Sequence, residues 1–160
     1  MNIFVVDENP FVAASMLCDQ HVVKMVTESA QLLATAHRVL ESQHAVPYKP
    51  THHNHPCSVW ARQTTGNYTW LYAHACGLAL EFKCRFGHSN HKAIENLPNL
   101  SVVPSKLPFG GMTKFVLAMP DVYKDLDPVK AYRNYYNGEK LKFARWTHCL
   151  TGPPDWVTQN

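Results

Sequence analysis

The chain has no Cys-x-x-Cys pair, no glycine-rich phosphate loop, no Gly-x-Ser-x-Gly elbow, no internal repeat and no alternating apolar run long enough to read as a strand. These absences argue against dithiol redox sites, P-loop nucleotide sites and serine-hydrolase elbows. No apolar run approaches the roughly 20 residues that a membrane span needs. Asp7 and Glu8 interrupt the N-terminal apolar stretch where a signal peptide would continue, so a cytoplasmic location is expected. The five cysteines (Cys18, Cys57, Cys76, Cys84, Cys149) are an odd number and read as free thiols in a reducing compartment.

What is present is a chain of 160 residues, 46% hydrophobic, which is enough for one domain with its own core. The net charge of +3 permits a polyanionic partner without requiring one. Asn9 followed by Pro10 marks a helix start. The pattern then continues, with a kink near Cys18, to about Glu41. Residues 42–56 are loop-like, with Pro47, Pro50, Pro56 and the histidine-rich run Thr51-His52-His53-Asn54-His55. A further helix is expected from Pro56, interrupted at Gly66-Asn67. A longer one follows, with Leu71, Ala75, Leu78 and Phe82 at helical spacing and Gly87 as its stop. Residues 88–111 read as irregular, 112–119 as a short helix, and Asp127-Pro128 as the cap of a helix running towards Trp146 with a break at Gly138. An extended tail is expected from Thr151. The expected fold is all-α: a single helical domain over 1–160 with long irregular loops.

The chemistry concentrates in the helix over about 19–41. At about 100° per residue, His21, Lys24, Glu28, Gln31, Thr35 and Arg38 share one stripe, while Val22, Val26, Ser29, Leu33, Ala36 and Leu40 share a mostly apolar one. The first stripe is either a solvated face with a Lys24–Glu28 helix pair or the wall of a cleft offering an imidazole, an amine and a carboxylate for acid–base chemistry. His52, His53, His55 and Cys57, with Cys18 and His21, are conceivable zinc ligands, although their spacing matches no familiar zinc pattern. Alternatively His53, Asn54 and His55 line a polar cleft as donors to phosphate or to a base edge. Cys18 and His21 form a conceivable nucleophile pair, and Lys24 a conceivable Schiff-base amine. In the region 128–146, Lys130, Arg133, Lys140, Lys142 and Arg145 face the single acid Glu139 and interleave with Tyr132, Tyr135, Tyr136, Phe143 and Trp146. That is either a nucleic-acid footprint or an amphipathic terminal helix.

The run Asp19-Gln20-His21, six residues and then Glu28 resembles the catalytic helix of the phage pyrimidine-dimer DNA glycosylases, the endonuclease V family. His55-Pro56, Trp60, Trp70-Leu71, Glu81, Arg85, Gly87 and His91-Lys92 resemble related sequences, and Tyr135-Tyr136-Asn137-Gly138 is similar to the family's aromatic, basic terminus. The resemblance implies an all-α enzyme that extrudes a nucleotide and cuts the N-glycosidic bond of a damaged or modified pyrimidine. An N-terminal amine would be the nucleophile, a strand-cleaving lyase step would follow, and no cofactor or metal would be needed. It implies Glu28 as the catalytic carboxylate, with His21, Lys24 and the Met1 amine beside it. His53, Asn54, His55, Trp60 and Gln31 would bind substrate. Arg62, His91, Lys92, Arg133, Tyr136, Lys140, Arg145 and Trp146 would bind DNA.

The partner implied is DNA, with no membrane, and the chain is expected to act as a monomer, with a dimer as the alternative. If phage-encoded, it would work in the host cytoplasm. The chain departs from the family at Asn2, where a small hydroxyl residue is usual, and at Ile3, Ser29, Ala30 and Gln31, where arginines would cluster. Three other readings remain: a DNA-binding accessory protein without catalysis, a pyrimidine-modifying enzyme and a small zinc protein.

Overall fold

Asn9 opens the first helix: its side-chain oxygen accepts the N–H groups of Phe11 and Val12, and Pro10 supplies a preset φ in the first turn. In this computed structural model, which describes residues 1–87 and 90–158, six α-helices follow in chain order. They are α1 (Pro10–Met16), α2 (Asp19–Val39), α3 (Pro56–Ala61), α4 (Thr65–Phe86), α5 (Lys92–Asn96) and α6 (Pro128–Tyr135). Among the described residues no strand occurs, as the all-α reading expects. His88 and Ser89 of the expected 88–111 stretch, and the last two residues of the expected domain, lie outside the described residues. No helix of the described residues is long and apolar enough to cross a membrane.

The core lies where α4 packs against both α1 and α2. The apolar stripe of α2 is buried from Val22 to Ala36, and Ile3, Val5 and Val6 of the N-terminal segment sit beneath it. α1 and α4 cross closely: a Cβ on Gly77 would stand 2.9 Å from that of Ala14. Gly87 stops α4 with φ +67°, the left-handed cap that glycine adopts without a Cβ penalty.

The structure corrects the sequence reading in four places. The break near Cys18 is complete, so that α1 and α2 are separate helices. The interruption after α3 falls at Arg62–Thr64 rather than at Gly66-Asn67, because Thr64 caps α4 by accepting the Asn67 N–H. Gly66 lies in the first turn of α4, where its missing Cβ lets residues 111–112 cross closely; a Cβ there would meet the Gly111 carbonyl carbon and the Met112 nitrogen at 2.5 Å. Residues 88–111 contain α5 and a 3-10 turn at Leu97–Leu100.

Residues 112–119 form no helix. Their backbone is satisfied from a distance: Asn67 accepts the Thr113 N–H, Trp60 donates to Lys114, Tyr132 donates to Val116, and Asn2 donates to Ala118. With these groups paired, the segment runs extended and buries Phe115 and Met119. The last helix, α6, passes into a wide π-turn at Tyr136–Lys140, where a Cβ on Gly138 would strike the Tyr123 ring.

His74 carries a pH signature. It is fully buried in α4, stacks on Trp70 at a centroid distance of 5.2 Å, and neither ring nitrogen has a hydrogen-bond partner. Burial pushes its pKa down to about 3, whereas an unfolded histidine titrates near 6.5. The unfolded chain therefore binds more protons between those values, and stability falls as pH is lowered through that window. His74→Leu is expected to lose less stability than the native chain between pH 7 and pH 4.5 in urea unfolding. An equal loss in both proteins would remove His74 from the account.

Candidate functional site

The N-terminus and the middle of α2 meet. The Met1 amine lies 3.5 Å from Glu28 Oε2, and the Asn2 N–H donates to the same oxygen at 3.0 Å. Asn2 fixes the segment: its Oδ1 accepts the N–H groups of Ile3 and Phe4, and its Nδ2 donates to the Ala118 carbonyl. Phe4 then turns the chain with φ +39°, a strained left-handed conformation for a residue with a Cβ. The Met1 side chain is 3% exposed, so the amine is held by burial of its own residue. On the other side of Glu28, Lys24 Nζ approaches Oε1 at 3.2 Å, with its side chain 70% exposed. Two amines thus flank one carboxylate, the first rigid and the second free to swing.

These groups line a cavity of about 270 Å³ together with Asn2, Phe4, His21, Met25, Tyr135, Lys140 and Phe143. His21, Lys24 and Glu28 of the α2 stripe line this cavity, and the expected Lys24–Glu28 helix pair forms as well. His21 is buried against the Phe4 ring, stacked at 4.5 Å, with Tyr136 and Phe143 edge-on to it. Burial, then Lys140 and Lys24, push its pKa down to about 4 against the opposing influence of Glu28. His21 is therefore neutral near pH 7.

The Tyr136 hydroxyl accepts the Cys18 N–H at 3.0 Å and lies 2.7 Å from His21 Nδ1. Burial raises the pKa of Tyr136, which keeps the phenol protonated, and its hydroxyl pins the His21 ring through Nδ1. Lys140 donates to the Tyr135 hydroxyl and sits 4.4 Å from the centroid of that ring.

The Asp-Gln-His run joins α2 to the C-terminal segment. Asp19 accepts from Arg85 and from the His148 N–H, and its own N–H donates to the Arg145 carbonyl. Gln20 accepts the Arg145 N–H. Only the histidine of the run enters the cavity, and the other two hold the segment that carries Phe143.

The histidine-rich loop docks on the same helix: the Thr51 N–H donates to Thr35 Oγ1 at 3.1 Å, two turns beyond Glu28. His55 caps α3, its Nδ1 accepting the Cys57 N–H. Burial lowers its pKa first, then the Met1 ammonium and His52, with Glu28 opposing. His55 is thus within electrostatic reach of the site, while His53 and Asn54 are exposed and Gln31 half-buried farther along the stripe. Among the described residues, no group of three or more His, Cys, Asp or Glu side chains is placed to hold a metal ion.

Other expected contact residues lie elsewhere. Trp60 is in the core, donating to the Lys114 carbonyl and packed against Trp70 and Phe115, which leaves no ring face open to a base. Tyr136 is fully buried, so its ring cannot meet DNA, and Trp146 packs on it while donating to the Met16 carbonyl. Arg133 donates to the Val6 carbonyl and lies against Trp156. Arg62 donates to Ser58, and His91 is 3.0 Å from the Val23 carbonyl. Lys92 and Arg145 are exposed. The reading from sequence missed Asn2, Phe4, Met25 and, as cavity-lining groups, Tyr135 and Phe143. Asn2 alone carried a local signal, as a turn-forming side chain one residue from the amine.

A family model described as pyrimidine dimer DNA glycosylase matches residues 1–96. No curated protein and no solved structure matches the chain. The matched region contains Met1, His21, Lys24 and Glu28; Tyr135, Lys140 and Phe143, which complete the cavity, come from the remainder.

Proposed function

The chain belongs to the pyrimidine dimer DNA glycosylase family, and from that premise we propose that it cuts the N-glycosidic bond of a damaged or modified pyrimidine in DNA, with the Met1 amine as nucleophile and Glu28 as its proton acceptor. The observation that carries this reading is the amine held 3.5 Å from Glu28 Oε2 at the edge of an aromatic cavity. The neutral amine attacks C1′ of the deoxyribose and forms a C–N bond. The C1′–base bond breaks and its electron pair leaves with the base, which takes up a proton. Glu28 accepts the proton lost by the amine, and ring opening of the sugar leaves an imine. Strand cleavage by β-elimination from that imine belongs to the same proposal.

Two points favour Met1 over Lys24. α-Amines as a class titrate near 8 and lysine amines near 10.4, so more of an α-amine is neutral at pH 7. The Met1 amine is also fixed in position, whereas Lys24 must give up rotamer freedom to react. Tyr135 and Phe143 offer apolar ring surface to an extruded base, and Lys24 and Lys140 offer charge to its phosphates.

Borohydride trapping on DNA carrying abasic sites, damaged pyrimidines or phage-type modified pyrimidines tests this. A covalent adduct mapping to the N-terminal peptide is the expected result. An adduct on Lys24 would move the nucleophile. Base release without an adduct would replace amine chemistry with attack by water. Salt-sensitive DNA binding with neither product would leave a binding protein.

A further inference from the structure

The loop between the 3-10 turn at Leu97–Leu100 and the extended segment 112–119 holds Phe109 at 97% exposure. Its exposure is built in. The Pro108 carbonyl accepts the Thr65 N–H at 2.9 Å and the Gly110 carbonyl accepts the Gly66 N–H at 3.0 Å. Thr65 Oγ1 donates to the Gly110 carbonyl, and the Gly110 N–H lies 3.1 Å from the same hydroxyl. Gly66 has no Cβ to obstruct this docking, and a Cβ on Gly111 would meet nothing within 4 Å. The loop is thus fastened to the start of α4, the phenyl ring stands clear of it, and its flank is open to close approach.

The segments on either side of this loop are poor in carboxylates. No Asp or Glu occurs between Glu41 and Glu81, the stretch that includes the loop's docking site at Thr64–Gly66, or between Glu95 and Asp121, the stretch that includes the loop itself. Lys106, Lys114, Arg62 and Lys49 come from them. Glu41 reaches Lys106 at 3.0 Å, but among the described residues no carboxylate pairs with Lys114 or Arg62. Arg62 immediately precedes Gln63 and Thr64, and these touch Thr113 and Gly110. An exposed flat ring on a fixed loop, with Lys114 and Arg62 on the segments that adjoin it and no carboxylate paired to either, suits single-stranded or distorted nucleic acid, which offers a base face between phosphates.

We propose that this loop is a second DNA contact, in which Phe109 stacks on a nucleobase while Lys114 and Arg62 meet the neighbouring phosphates. The inference rests on the reading that DNA is the substrate. The loop and the cavity are joined by the extended chain, since Asn2, whose N–H bonds Glu28, also holds the Ala118 carbonyl. Nine residues of extended chain span at most roughly 30 Å. Asn2 and the phenyl ring add roughly 10 Å, so at about 3.4 Å per base pair Phe109 meets DNA within roughly twelve base pairs of the reacting nucleotide.

The test is binding, not turnover. A duplex with one tetrahydrofuran abasic analogue, which cannot form an imine, fixes the register, and 2-aminopurine is scanned on either side of it. Phe109→Ala is expected to weaken binding about 5- to 100-fold, the range of one lost base–aromatic stack, and to abolish a 2-aminopurine fluorescence change within that interval. Phe109→Tyr should restore both. The slope of log K against log salt should stay unchanged for Phe109→Ala and fall by about one for Lys114→Ala.

Affinity of Phe109→Ala within twofold of the native chain overturns the proposal. So does self-association of the native chain in sedimentation that disappears in Phe109→Ala, because the ring would then belong to an interface between copies. Base release is measured separately. If release persists without a Phe109 effect, only this inference fails; if Phe109-dependent binding persists without release, only the glycosylase reading fails.

Discussion

Glu28→Gln is expected to lower single-turnover base release by about 10²- to 10⁴-fold, the span usually lost with a positioned proton acceptor, while DNA affinity holds or rises. The amide keeps the shape of the carboxylate and can still accept the Asn2 N–H that now reaches Oε2 at 3.0 Å. What it cannot do is take a proton from the Met1 amine or counter the charges of Met1 and Lys24, which lie 3.5 and 3.2 Å away. Removing the one anion on the cavity wall makes the site more positive. That favours a phosphate backbone, so a drop in affinity is the wrong sign for this model. His21 stays neutral in the variant, since Glu28 is the influence that raises its pKa against burial, Lys140 and Lys24. Release assays paired with fluorescence anisotropy on the same DNA decide it. Full activity in Glu28→Gln would remove the catalytic assignment, and parallel loss of activity and binding would point to a damaged fold.

The parts of this fold legible in sequence are those fixed by neighbours along the chain. Asn9-Pro10 and Asp127-Pro128 cap helices because an oxygen two or three residues away accepts their first N–H groups. Gly87 stops α4 because only its own φ is at stake. The α2 stripes are read from periodicity alone. Segment 112–119 was illegible because its backbone partners, Asn2, Asn67, Trp60 and Tyr132, are remote in sequence.

The candidate site divides the same way. The spacing of His21, Lys24 and Glu28 puts them on one face, but the opposite wall comes from Phe4, Tyr135 and Phe143. In an isolated sequence those rings read as core or as a basic, aromatic surface. Tyr136 is instructive: a tyrosine between cations suggests a DNA contact, yet its hydroxyl is spent on Cys18 and His21. A buried ring whose hydroxyl is engaged by two neighbours is a support, and sequence alone does not distinguish it from the half-exposed Tyr135 beside it.

Arg85→Met is expected to destabilise the chain by about 3–5 kcal/mol, the usual cost of leaving a buried charge without its partner, against a total stability on the order of 5–15 kcal/mol for a single domain. The Arg85 side chain is 1% exposed. It donates to the Ser15 and Leu17 carbonyls, which the end of α1 leaves without helical partners, and to Asp19 and Glu81. Methionine keeps the apolar stem and removes every one of those donors. Asp19 would then sit at the start of α2 with its Oδ1 unanswered, while its Oδ2 still holds the His148 N–H. Urea unfolding of Arg85→Met, Asp19→Asn and the double variant forms a cycle. If the buried charge dominates, the double variant is less destabilised than the sum of the singles, because the asparagine no longer leaves an unpaired anion. Strict additivity would instead assign the loss to the orphaned carbonyls of Ser15 and Leu17. A loss below about 1 kcal/mol in Arg85→Met would show that the α1–α2 corner does not depend on this clamp. Met1 and Glu28 touch neither residue, so folded Arg85→Met protein should keep its N-terminal borohydride adduct. Loss of the adduct in folded protein would mean that the corner also sets where the C-terminal segment places Phe143.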